Sequence, residues 1–118
     1  MELTIEQALQ KEIEAHKLGD FDDAEKLYRA ILLAQPQHPH ANHNLGFLFV
    51  ALGHLEPALL LLRTALDANM KEEQFWVSYF TVLMDNKKIE IARDVLNRGE
   101  KTGLSGELVD ALEKNPGF

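Results

Sequence analysis

Residues 39–72 read PHANHNLGFLFVALGHLEPALLLLRTALDANMKE, and the fold follows from how this stretch is divided. It holds two helical patterns of similar length, separated by Gly53 and His54. The first carries Leu45-Gly46 and then Phe49; the second carries Ala58, Leu62 and Ala65. Small residues at Gly46, Ala58 and Ala65 let two helices approach closely, and Leu45, Phe49 and Leu62 fill the space around the contact. A helix pair of this kind cannot bury its apolar surface alone, so further pairs are expected on both sides.

The flanking sequence supplies them. Gly19 is followed by Ala24, Tyr28, Ile31 and Pro36. Thirty-four residues on, Gly53 is followed by Ala58, Leu62, Ala65 and Met70 at the same offsets. A second step of the same length gives Lys87, Ala92, Leu96, Gly99 and Leu104. The units are about 5–38, 39–72 and 73–106, read as a single domain over 1–118.

Local signals agree with paired helices. Thr4 followed by Gln7 reads as a capping box opening a helix at about 5–17, which Gly19 stops. Asp20 can cap a helix at about 21–34, with Asp22 and Asp23 at its positive end. Pro39 suits the first turn of a helix at about 39–52, closed by Gly53. Further helices are expected at about 55–68, 72–85 and 88–100. Ser105 can cap a last one at about 106–114 that shields the end of the stack. No stretch alternates with period two, so no strand is expected. In the third unit Phe80 stands at a position where a small residue is expected, and Gly99 replaces an alanine. This predicts that the Phe80 ring packs on the backbone near Gly99.

The period and pattern resemble the tetratricopeptide repeat (TPR). The middle unit carries the resemblance with Leu45, Gly46, Phe49, Ala58, Leu62 and Ala65, and departs at Asn42 and Met70. The first unit carries it with Ala24, Tyr28 and Pro36, but has Lys11 and Glu12 where Leu-Gly would stand. The third carries it with Trp76, Tyr79, Leu83, Ala92 and Leu96. The resemblance implies an all-α fold: a right-handed superhelical stack of antiparallel helix pairs, an α-solenoid of about seven helices.

Composition narrows the function. With 46% hydrophobic and 26% charged residues the balance is that of a globular protein. No apolar run reaches the eighteen residues or so of a membrane span. The opening residues lack the apolar core of a secretory signal, which gives the expectation of a cytoplasmic protein. There is no cysteine, which excludes disulfides and thiolate chemistry. A formal net charge of −7 argues against nucleic acid, whose phosphates need a basic face.

The reactive groups are few. His38, His40 and His43 form H-x-H-x2-H, which could converge on a transition metal. They straddle Pro39, however, and no acid lies between Glu25 and Glu56, so the pattern reads as one N-cap histidine and two polar groove residues. Asp22-Asp23 and Glu72-Glu73 fall in or near first helical turns, where acids favour the helix dipole. Ser78 and Ser105 are the only serines, and neither sits in a G-x-S-x-G elbow. No Gly-rich phosphate loop is present. Neither an enzyme, a metal nor a cofactor is expected.

Function is therefore expected of a surface. The resemblance implies that the first helix of each pair lines a concave groove that binds a peptide or protein segment. It places Glu6, Leu9, Gln10, Ile13 and His16 there in unit one. In unit two it places His40, His43, Asn44, Phe47 and Val50, and in unit three Gln74, Val77, Ser78, Thr81 and Met84. Helical spacing puts each set on one face. One subfamily grips the C-terminal carboxylate of chaperones with lysines, asparagines and an arginine. Asn44 fits one of those positions; Leu9, Ile13, Gln74 and Ser78 fill the others, so chaperone-tail binding is not expected. Two alternatives are a substrate-recruiting segment of a larger bacterial transferase-type enzyme, and a homo-oligomer joined through residues such as Leu9 and Ile13.

Overall fold

The structure, a computed structural model, describes residues 21–115 together with Thr4, Gln7 and Lys11. Its elements are α1 (Phe21–Ala34), α2 (Pro39–Ala51), α3 (Leu55–Ala68), α4 (Glu73–Asp85), α5 (Ile89–Lys101) and α6 (Gly106–Glu113). No strand occurs among the described residues. Gln7 and Lys11 are helical too. The Thr4 hydroxyl accepts the Gln7 N–H at 3.1 Å, and the Gln7 side-chain oxygen accepts the Thr4 N–H at 3.1 Å. That is the reciprocal capping box read from the sequence. The remainder of the segment at 5–17, and the expected cap at Asp20, lie outside the described residues.

By its contacts the chain divides into two compact units, 1–68 and 69–118. In the first unit α2 packs against both α1 and α3. Ala24, Tyr28, Leu45 and Leu48 form a buried cluster, with Leu32, Phe49 and Leu61 against it. The α2–α3 contact is as close as its small residues predict. A Cβ on Gly46 would stand 2.9 Å from Leu62 Cγ and 3.3 Å from the Ala58 carbonyl oxygen. Ala58 and Ala65 are fully buried on the facing helix. In the second unit α4 packs on α5, and α5 on α6. Phe75, Trp76, Phe80 and Leu83 are its largest fully buried side chains.

Three helices end in the same way. After α2, His54 N–H donates to Phe49 C=O at 2.8 Å and Gly53 N–H to Val50 C=O at 3.1 Å. After α4, Lys88 donates to Leu83 at 2.8 Å and Lys87 to Met84 at 3.0 Å. After α5, Leu104 donates to Gly99 at 2.9 Å and Gly103 to Glu100 at 3.4 Å. Each is a Schellman motif, whose middle residue is left-handed. Gly53 (φ 80°) and Gly103 (φ 96°) take that conformation without strain, whereas Lys87 takes it (φ 59°) with a Cβ.

The motif after α5 shows which side chains lie against Gly99. Phe80 is buried. The space a Gly99 side chain would fill, however, is occupied by Leu104, whose Cδ2 lies 2.8 Å from the Cβ position, with Trp76 Cε3 at 3.5 Å. A Schellman motif brings its last residue back over the helix. Gly99 is small to admit Leu104.

A second recurring contact ties the loops before α2 and α4 to the helices they precede. Trp76 Nε1 donates to the Met70 carbonyl at 2.8 Å. Asn42, thirty-four residues earlier, donates from Nδ2 to the Pro36 carbonyl at 3.1 Å and to the His38 carbonyl at 3.0 Å. In both, the acceptor lies six residues back. Asn42 departs from the aromatic expected at that position but makes the same bond, which is why a polar side chain only 3% exposed is tolerated there.

Candidate functional site

Helix α2 carries thirteen residues without an Asp, Glu, Lys or Arg. Its entry is built by His38, whose Nδ1 accepts the Ala41 N–H at 3.1 Å, and by Pro39 in the first turn. A neutral imidazole that accepts at Nδ1 carries its proton on Nε2, and so cannot give Nε2 to a metal while the cap is made. Burial is the main cause that lowers the pKa of His38 below the ordinary histidine value. The charge of His40 adds to this, and the residue's own backbone hydrogen bond opposes it. The two rings stand 6.4 Å apart, tilted by 60°. Among the described residues no three His, Asp or Glu converge on a point that could hold a metal ion.

One turn into α2, three expected groove residues meet. The His43 Nδ1 lies 3.2 Å from the Asn44 Oδ1, and the His43 ring meets Phe47 edge-on at 4.8 Å and 81°. His43 is 9% exposed, while Asn44 and Phe47 are half-buried and His40 is exposed. With the amide oxygen as acceptor, His43 donates from Nδ1 and holds the Asn44 side chain in place. The Asn44 Nδ2 then has no partner among the described residues. The outcome is an oriented N–H donor beside an aromatic face, with half-buried Val50 further along the helix.

On α4 the expected residues separate by depth. Gln74 and Thr81 are exposed and Val77 is half-buried, whereas Ser78 and Met84 are buried. Gln74 Nε2 donates to Ser78 Oγ at 3.1 Å. What a ligand could meet there is the Gln74 amide; the Ser78 hydroxyl lies beneath it. Gln10 and Ile13, with Glu6, Leu9 and His16, lie outside the described residues. The acidic pairs are engaged at helix ends. Asp22 and Asp23 lie in the first turn of α1, and Glu72 caps α4 by accepting the Gln74 N–H at 3.4 Å. Glu73 accepts the Ser105 N–H at 3.3 Å where α6 begins. No helix among the described residues is long and apolar enough to cross a membrane.

The sequence could not reveal that His43 joins Asn44 to Phe47. Their spacing shows a shared face, but not which ring nitrogen meets which oxygen. The role of Asn42 was open to inference, because it stands in the register of Trp76 and carries an N–H of its own.

A family model of the tetratricopeptide repeat matches residues 15–78, more than half of the chain. No curated protein matches. Among solved structures, the first TPR of Spaghetti (RPAP3), bound to the HSP90 peptide SRMEEVD, matches with a TM-score of 0.73. Sequence identity is 19%, over 93% of this chain and 90% of that one. At that identity the likeness establishes the fold.

Proposed function

This chain belongs to the tetratricopeptide repeat family of protein-interaction modules, and from that premise we propose that α2 binds an extended, uncharged peptide segment. The observation that carries the reading is the Asn44 amide, oriented by His43, its Nδ2 without a partner among the described residues, beside the half-buried Phe47. An amide N–H suits a peptide carbonyl whatever side chain accompanies it. Phe47 and Val50 add apolar area for one side chain of the partner. With no Asp, Glu, Lys or Arg on α2, it offers no carboxylate, ammonium or guanidinium to a charged ligand. Gln74 and Thr81 offer polar contacts of the same kind along α4. The module acts by binding, and catalysis has no part in the reading.

The experiment begins with a pulldown on the isolated chain to obtain a partner, followed by calorimetric titration of variants. Asn44→Ala should weaken binding by about 1–2 kcal/mol, the cost of leaving a buried carbonyl unpaired. Phe47→Ala should cost at least as much. Neither should unfold the chain, whereas Ala58→Glu, at a fully buried position of α3, should. Wild-type affinity in both α2 variants would place the partner on another surface.

A further inference from the structure

We propose that Met70 is a modification site: a methionine whose oxidation to the sulfoxide is selective and is held by Arg98. Met70 is 39% exposed, while Met84 is 8% exposed. Met70 also forms part of the wall of an open cavity of about 330 Å³, with Lys71, Thr102 and Leu104, which gives a small oxidant a path to the sulfur. Its Sδ lies 4.0 Å from Arg98 Nη2. A thioether is a weak acceptor at that distance, but a sulfoxide oxygen on the same sulfur is a strong one and reaches toward the guanidinium.

The step balances with a peroxide as oxidant. The sulfur attacks one peroxide oxygen, the O–O bond breaks, and the sulfur is oxidised by two electrons. The departing hydroxide takes the proton from the oxygen now on sulfur and leaves as water, and the sulfoxide remains. The product is one that methionine sulfoxide reductases return to the thioether.

Two contacts make the change visible. Arg98 stands over the Trp76 ring, 6.0 Å from its centre, and the Trp76 indole N–H donates to the Met70 carbonyl at 2.8 Å. Trp76 is the only tryptophan of the chain, so its emission reports on this cluster alone. A guanidinium drawn to the sulfoxide changes the charge beside the indole.

The test exposes the whole chain to a small excess of hydrogen peroxide. Oxidation is followed by peptide mass spectrometry, Trp76 emission and helical circular dichroism. Oxidation at Met70 should outpace that at Met84 roughly five-fold, in line with exposure. The emission should shift in step with it while the helical signal stays constant, and a reductase should restore it. In Arg98→Ala the sulfoxide should still form but the emission shift should be lost. Met70→Gln, which places an acceptor there permanently, should show the shifted emission without peroxide. Equal oxidation of Met84, emission unmoved by Met70 oxidation, a shift retained in Arg98→Ala, or loss of helix on oxidation would each overturn the proposal.

Discussion

Two glycines on helices look alike in sequence and differ in what surrounds them. At Gly46 an added methyl group meets Leu62 Cγ at 2.9 Å and the Ala58 backbone oxygen at 3.3 Å, neither of which can swing aside. Gly46→Ala should therefore destabilise by about 1–3 kcal/mol, read as a lower urea midpoint. At Gly99 the nearest atom is Leu104 Cδ2, the end of a flexible side chain. Alanine there gains up to about 1 kcal/mol of helix propensity while Leu104 shifts, so the change in stability should be near zero. His38 sets a different kind of limit. Its folded pKa is lowered, so the unfolded chain takes up the proton first. The stability from the neutral cap is complete above the ordinary histidine value of about 6.5 and is lost as pH falls through the folded value. His38→Asn keeps a cap that does not titrate, and should flatten the fall in urea midpoint between pH about 7.5 and about 5.5.

At the scale of the helix, the Schellman endings separate stability from the repeat pattern. Lys87 takes at φ 59° the place that Gly53 takes at φ 80°. Lys87→Gly should stabilise the chain by about 1 kcal/mol, measurable as a raised melting temperature, because it removes the left-handed penalty. The ends of the helices were legible because glycine and proline punctuate them. The expected spans 21–34 and 55–68 are those of α1 and α3. The expected cap at Ser105 accepts the Leu108 N–H at 3.3 Å. The approach of Leu104 to Gly99 was not legible, since a 34-residue register says which positions are small but not which neighbour claims the room. Leu104 claims it through the turn that follows α5, a contact inside one motif. The candidate site was legible as a face. Its depth was not: Ser78 and Gln74 share a helical stripe, and only packing decides that the first lies under the second.

For the molecule as a whole, charge makes the sharpest distinction. The net charge is −7, yet α2 carries none of it. A partner held on α2 should bind with nearly the same affinity between about 0.05 and 0.5 M salt, since α2 offers no carboxylate, ammonium or guanidinium to screen. A peptide ending in EEVD should give no saturable binding in a fluorescence titration, as Gln74 and Ser78 bring no cation to it and the net charge of −7 repels it. The placement of Trp76 has its own consequence for such measurements. It lies in the unit formed by 69–118, whereas Asn44 and Phe47 lie in that formed by 1–68. Tryptophan emission during melting follows one half of the chain, and circular dichroism follows both. Where the two curves coincide, the halves lose structure as a single cooperative step. Where they part, an α2 variant can be unfolded at its own site while the optical signal of the other half remains native.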